Sequence, residues 1–306
     1  MQRRVSLFRN AATLRRPGTQ GAELQDNSAL PAAGVLRSTA RQGPTHWFRA
    51  VAGAILWAVD IRETLKQRAL DTGFDLVGIA PVEAPDDLSF ARNWVEAGYG
   101  GEMQYLSNPK RDDPRLVLPS AQSIICVGLV YNTRWPYSRP GAATGTRKQQ
   151  SNGERHAGFS APSSRLGWIS RYAWGRDYHD VMRGKLEMLR REIEALAPKV
   201  ETRVYTDTGP VIERAFARRS GIGWMGKNTC LINQQKGSWF FLGIVLTNLA
   251  LAPDLPAPDR CGSCTRCIEA CPTGALTEPY RMDATRCISY LTIELKGAVP
   301  EALRPA

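Results

Sequence analysis

Apolar positions along the chain recur with two periods that alternate. Ile61, Leu65, Ala69 and Leu70 share one helical face, which predicts a helix over residues 61–72 with Asp60 as N-cap and Gly73 just past its end. Residues 75–80 read as a buried strand stopped by Pro81, and 87–97 as a helix ended by Gly98. The run from Ser123 to Tyr131 is almost wholly apolar and predicts a central strand. A long helix over 177–196, closed by Pro198, is followed by a strand (201–206), a helix (211–220) and an apolar strand (239–247). Residues 132–167 are rich in Gly, Ser, Pro and Arg, show no period and predict a long surface loop. The alternation implies an α+β class: an α/β sheet domain over 60–250, then a smaller segment over 251–306.

Composition narrows the class and charge singles out one end. With 43% hydrophobic and 23% charged residues among 306, the chain is globular, which excludes whole-chain disorder, collagen-like and low-complexity readings. The longest apolar run, Ala50 to Val59, falls well short of the roughly 20 residues a membrane span needs, so no membrane association is expected. The formal net charge of +11 favours a polyanionic partner. Much of the excess lies in residues 1–59, where eight Arg and no Lys face only Glu23 and Asp26. This segment has no sustained period and is expected to be a disordered basic extension, with a transit-like peptide and translated upstream sequence as open alternatives.

The cysteines carry the first chemical signal. Of seven, Cys126 and Cys230 are scattered, whereas Cys261, Cys264, Cys267 and Cys271 form a C-x2-C-x2-C-x3-C-P run that ends at Pro272. This is the ferredoxin spacing for [4Fe–4S] clusters, in which three thiolates of a compact loop bind one cubane and the fourth points to a second. Zinc is the alternative, although paired CxxC units would suffice for it. Thiolates of this kind indicate a reducing, cytoplasmic compartment. Cys287 is the next candidate for the second cluster. Two cubanes need eight ligands, so the five cysteines here leave a partial ferredoxin-like domain and imply that the chain is part of a longer protein.

Three motifs in the body are unusual for structure alone. Residues 171–179 (RYAWGRDYH) combine Arg, aromatics and one of only three His; 205–210 (YTDTGP) put Asp207 at the end of a strand; 221–229 (GIGWMGKNT) form a glycine-rich turn. Each also has a plain structural reading: Asp207 as a cap of the following helix, His179 as a surface histidine near a helix start. The glycine turn does not sit between a strand and a helix and is not a nucleotide fingerprint.

Taken together the motifs resemble the epoxyqueuosine reductases, cobalamin-dependent iron–sulfur enzymes of tRNA modification. The resemblance runs from about Asp60 to Gly297 through DLVGIA, NPKRDDPRLVLPSAQSII, ISRYAWGRDYHDVMRGKL, YTDTGPVIERAFARRSGIGWMGKN, GSWFFLGIVLTN, CGSCTRCIEACPTGAL and RCISYLTIELKG. It implies a cobalamin-binding catalytic domain at 60–250. Within that domain it implies Asp207 as proton donor beside the cobalt, with Arg111, Ser170, Leu231, Leu242 and Ser289 near the corrinoid. It implies Cys261, Cys264, Cys267, Cys271 and Cys287 as cluster ligands. The family binds cobalamin without a lower axial histidine, and the chain has no D-x-H-x-x-G motif. The implied reaction deoxygenates epoxyqueuosine to queuosine in the anticodon loop, taking electrons from an external donor such as flavodoxin or ferredoxin, on a monomeric enzyme. Lys296, Arg286, Lys227 and the Arg residues of the 132–167 loop are candidates for a basic rim that binds the tRNA phosphates, with Lys296 the expected tRNA contact. Two other functions stay open at this point: a ferredoxin-like electron-transfer protein without catalysis, and a corrinoid reductase acting on a small molecule.

Overall fold

The structure, a computed structural model, describes residues 61–85, 88–133 and 169–304. The expected basic extension, the Asp60 cap and most of the expected loop at 132–167 lie outside the described residues. In chain order the regular elements are α1 (61–71), β1 (Leu76–Pro81), α2 (Leu88–Glu96), β2 (Ser123–Val130), α3 (Tyr178–Leu196) and β3 (Thr202–Tyr205). There follow α4 (Glu213–Arg219), β4 (Trp224–Met225), β5 (Leu231–Ile232), β6 (Phe240–Thr247), α5 (Arg266–Glu269) and α6 (Ile288–Ile293).

β1, β2, β6 and β3 form one sheet in the order β1-β2-β6-β3, and every neighbouring pair is antiparallel. β2 is central, as its apolar run predicts. Its odd positions, Ile125 and Val127, face Leu65, Met182 and Leu186 of α1 and α3; its even positions, Ile124 and Cys126, face Phe216 and Ala217 of α4. A strand covered on both faces has no polar side to show, so it reads apolar at every position. That pattern usually marks a parallel α/β sheet, but it reports burial and says nothing of strand direction. The expected α/β arrangement is therefore corrected to an antiparallel sheet between helical layers, within the α+β class. Gly243 of β6 lets α3 lie directly on the strand, because a Cβ there would stand 2.9 Å from the Met182 methyl.

The outer edge of β1 is closed by the segment after β6. The Asp254 N–H donates to the Ile79 carbonyl (2.8 Å) and the Ile79 N–H to the Asp254 carboxylate (2.8 Å). The same carboxylate accepts from Lys66 (2.6 Å) and Arg62 of α1, so one aspartate ties helix, strand and linker together. A third core joins α2 to the C-terminal segment: Trp94 and Met103 bury against Ala275, Met282, Ala284, Tyr290 and Leu291. The Trp94 indole N–H donates to the Met282 carbonyl (2.6 Å).

Candidate functional site

β3 spans four residues against the eight of β6, and its pairing ends at Tyr205 opposite Ile244. Residues 240–243 of β6 pair only with β2, and a cavity of about 280 Å³ opens on this ledge. Its lining includes Tyr131, Tyr178, Asp207, Glu213, Cys230, Leu231, Phe241 and Leu242, with Met282 and Ser289 from the C-terminal segment. Aromatic stacking builds one wall: the Tyr178 and Phe241 rings lie parallel with centroids 4.1 Å apart, and Tyr131 packs on Phe241 at 4.5 Å.

Asp207 enters this cavity from the turn after β3. The Thr206 hydroxyl anchors the turn on the Leu242 carbonyl (2.8 Å), and Asp207 itself has φ +52°, in the left-handed region. Thr229 on the same lining has φ +63°. Such backbone costs of the order of 1 kcal/mol or more for a residue other than glycine and clusters at functional sites. The reading of Asp207 as a helix cap is overturned: the N-cap of α4 is Ile212, which makes no side-chain cap hydrogen bond.

The Asp207 carboxylate is held by two neighbours from the start of α3. The Tyr178 hydroxyl donates to Oδ2 at 3.0 Å, and His179 Nε2 lies 3.1 Å from the same oxygen. His179 is not a surface residue; it is 6% exposed. Its orientation follows from the cap of α3: Asp177 Oδ1 accepts both the His179 backbone N–H (2.9 Å) and the ring Nδ1–H (2.8 Å). The hydrogen bond to the Asp207 carboxylate raises the His179 pKa above the ordinary value of 6.5; burial opposes this, and Asp177 adds to it. Burial, followed by the Asp207 charge, pushes the Tyr178 hydroxyl up. Sequence reasoning missed this pair. The signal that could have found it is a helix-start D-x-H in which one aspartate caps the backbone and the ring together.

Of the residues implied by resemblance, Asp207, Leu231, Leu242 and Ser289 meet on the cavity lining, whereas Arg111 and Ser170 do not reach it. Arg111 is buried behind the Asp207 turn, its Nη1 donating to the Gly209 carbonyl at 3.4 Å. Ser170 is exposed and precedes a short 3₁₀ turn at Arg171–Ala173. The glycine-rich motif forms the β4–β5 hairpin, as expected for something other than a nucleotide loop. Its Lys227 donates to the Gly262 carbonyl (2.7 Å), so it holds the cysteine loop rather than standing free on a rim. Lys296 and Arg286 are exposed.

None of the seven cysteines is in a disulfide. Among the described residues no three His, Cys, Asp or Glu side chains converge as a ready metal site. The thiols nonetheless fall into two electrostatic groups. Cys267 is raised by burial and by Cys261 and Cys264, and Cys287 by burial and by Cys271 and Cys230. Burial alone would raise Cys271 as well, but hydrogen bonds from Leu276, Thr273 and Ala275 outweigh it and lower the thiol. Free thiols in two groups, Cys261, Cys264 and Cys267 in one and Cys271 and Cys287 with Cys230 in the other, with N–H groups aimed at the Cys271 sulfur, suit iron–sulfur ligation. Cys230, which looked isolated in the sequence, lies on the cavity beside this second group. Among the described residues no helix is long and apolar enough to cross a membrane.

Comparison with known proteins gives the same outline. A family model described as epoxyqueuosine reductase QueG, DUF1730, matches residues 111–208, and a 4Fe-4S double cluster binding domain matches 260–306. The chain is 45% identical to the epoxyqueuosine reductase of Gloeobacter violaceus over 242 residues, covering 78% of this chain and 68% of that protein. It is 44% identical to that of Synechocystis sp., covering 73% and 70%. A crystal structure of epoxyqueuosine reductase with an epoxyqueuosine-modified tRNA-Tyr stem loop superposes with a TM-score of 0.67 at 35% identity, covering 81% of this chain and 60% of that one. The Bacillus subtilis enzyme, with its catalytic aspartate loop swung out of the active site, matches at TM-score 0.67 and 34% identity, covering 81% and 60%. This chain thus spans about three fifths of the solved structures it resembles.

Proposed function

The chain belongs to the epoxyqueuosine reductase family, and from that premise we propose that it reduces epoxyqueuosine to queuosine in the tRNA anticodon loop, the last step in making that base. The observation that carries the reading is Asp207, a strained aspartate on a cavity between the sheet ledge and the cysteine segment, with Tyr178 and His179 on one carboxylate oxygen. A relative solved with a modified tRNA stem loop and another whose catalytic aspartate loop moves support it. Neither the electron-transfer reading nor the small-molecule reading gains support from these comparisons.

Deoxygenating an epoxide to an alkene consumes two electrons and two protons and releases water. The cavity lining suits an apolar-faced macrocycle: Tyr131, Phe241 and Leu242 offer the wall, and Leu231 and Ser289 flank it. These residues would hold a corrinoid, with Arg111 and Ser170 acting from outside the lining. Cys261, Cys264 and Cys267 would hold one [4Fe–4S] cluster, and Cys271 and Cys287 part of a second. Bound there, the cofactors supply the reducing equivalents, drawn from an external flavodoxin- or ferredoxin-type donor. The protein's own part is to bind, to exclude water and to move protons. Asp207 donates to the departing oxygen, and Tyr178 and His179 hold its carboxyl on the cavity lining. Exposed Lys296 and Arg286 contact the phosphates of the RNA, and a cytoplasmic site of action goes with that substrate.

The test is single-turnover conversion of epoxyqueuosine tRNA by reconstituted wild type and Asp207→Asn. Asparagine tolerates left-handed backbone and keeps the hydrogen bonds but has no acidic proton. Turnover should fall by roughly 10²–10⁴-fold while tRNA binding stays unchanged; equal rates would remove Asp207 from the reaction.

A further inference from the structure

We infer that Asp177 and His179 form a proton reservoir behind Asp207, with His179 Nε2 re-supplying Asp207 Oδ2 after Asp207 has protonated the substrate oxygen. The inference rests on the reading of Asp207 as the proton donor and extends it to the second proton of the reaction. One carboxylic acid holds one proton, whereas loss of the epoxide oxygen as water takes two.

The geometry gives the second a place and a route. Asp177 Oδ1 accepts from His179 Nδ1 at 2.8 Å, which keeps the proton on Nδ1 and turns Nε2 to Asp207, 3.1 Å away. Neutral His179 therefore presents an acceptor to Asp207 and imidazolium presents a donor, so a single proton moves along the Nε2–Oδ2 line without any side chain moving. Tyr178 donates to the same Oδ2, which stabilises the carboxylate left behind and keeps the line aligned.

The three groups also differ in exposure, with the ring the most buried of them. The His179 side chain is 7% exposed, that of Asp207 16% and that of Asp177 41%. Asp177 is the most exposed of the three, and it contacts the far nitrogen of the ring. The Tyr178 ring stacks on both the His179 ring (4.0 Å) and the Phe241 ring (4.1 Å), which fixes the imidazole in place. The charged and titratable groups facing His179 are Asp177 and Tyr178 from its own helix start and Asp207 from the turn after β3, with buried Glu213 of α4 acting on Tyr178. Asp177, and Asp207 whenever it is ionised, favour the imidazolium. His179 and Asp177 are positioning residues in this scheme; only Asp207 meets the substrate.

The experiment uses the full chain. Histidine ¹⁵N NMR over a pH series reads both ring nitrogens, and with three histidines in the chain the His179→Gln spectrum assigns the signal. We expect Nδ1 to stay protonated throughout, Nε2 to lose its proton above the ordinary histidine range, and Asp207→Asn and Asp177→Asn each to lower that midpoint. In single turnover of the reconstituted enzyme, His179→Gln should slow conversion by roughly 10²-fold, and Asp177→Asn should move the basic limb of the pH–rate profile to lower pH. If His179→Gln unfolds the chain, the Asp177→Asn pH profile decides alone, because that variant keeps the ring. A wild-type rate and profile in both variants, with Asp207→Asn inactive, overturns the reservoir and leaves Asp207 as donor. A wild-type rate in Asp207→Asn overturns the proposed function itself.

Discussion

The Asp207 side of the cavity and the cysteine segment are built by different means. On the Asp207 side, protein groups hold protein groups: a capped helix start, stacked rings and two hydrogen bonds converge on one carboxylate oxygen. On the cysteine side, Cys261–Cys271 surrounds a single turn of helix, α5, that has no buried residue, and it is steadied by Lys227 on Gly262 and Asp259 on the Cys261 N–H (2.7 Å). One side is rigid through packing. The other presents thiols whose arrangement is completed by what they bind, since metal ligation and folding are one equilibrium in such segments.

That contrast is open to direct attack. The largest effect is expected on the cysteine side: Cys267→Ser should abolish the iron held by the group of three, read as iron per chain, while leaving the unfolding of the sheet body unchanged. A parallel fall in body stability would show that the two sides are not independent. On the other side Phe216, fully buried between α4 and the sheet, should cost about 3–5 kcal/mol on truncation to Ala, measured by denaturant unfolding. Iron binding should survive in conditions where the variant remains folded.

Two smaller effects depend on pH. The Asp254 carboxyl is raised by burial, but Lys66, the Ile79 N–H and Arg62 outweigh this and hold it below its ordinary value of 3.8. Its contribution is therefore complete above pH 3.8 and is lost as pH falls through the lowered folded value. Asp254→Asn should cost about 1 kcal/mol near neutrality and converge with wild type in acid; a constant difference across pH would exclude the ion pairs as its cause. His179 has the opposite sign. With its folded pKa raised, the stabilisation is complete below pH 6.5 and disappears as pH rises through the folded value. The stability difference between wild type and His179→Gln should accordingly shrink in mildly alkaline buffer, the smallest of the changes proposed here.

Much of the body was legible because burial leaves a periodic mark. The apolar face of α1, the uniformly apolar β2 and β6 and the long α3 all appear where the hydrophobic pattern puts them. Boundaries differ where a tertiary partner replaces a local signal: α4 starts at Glu213, two residues late, because Val211 and Ile212 are drawn into the core and no side chain caps the helix. The cysteine run was legible for another reason, since thiolate ligands within a dozen residues of each other need no fold to bring them near.

The sequence by itself determined which segments are buried, that Cys261, Cys264, Cys267 and Cys271 lie close together, and that Asp207 closely follows a strand. Each depends on neighbours a few residues apart. Only the tertiary structure decided that the strands run antiparallel, that Arg111 supports the Asp207 turn from behind, and that Cys230 comes to the cavity. Only it placed His179, 28 residues away in the chain, against the Asp207 carboxylate. Hydrophobic burial is non-directional and writes itself into composition and period. A hydrogen bond between distant side chains depends on distance and angle to within a few tenths of an ångström, and those are set by how α3 lies on β6.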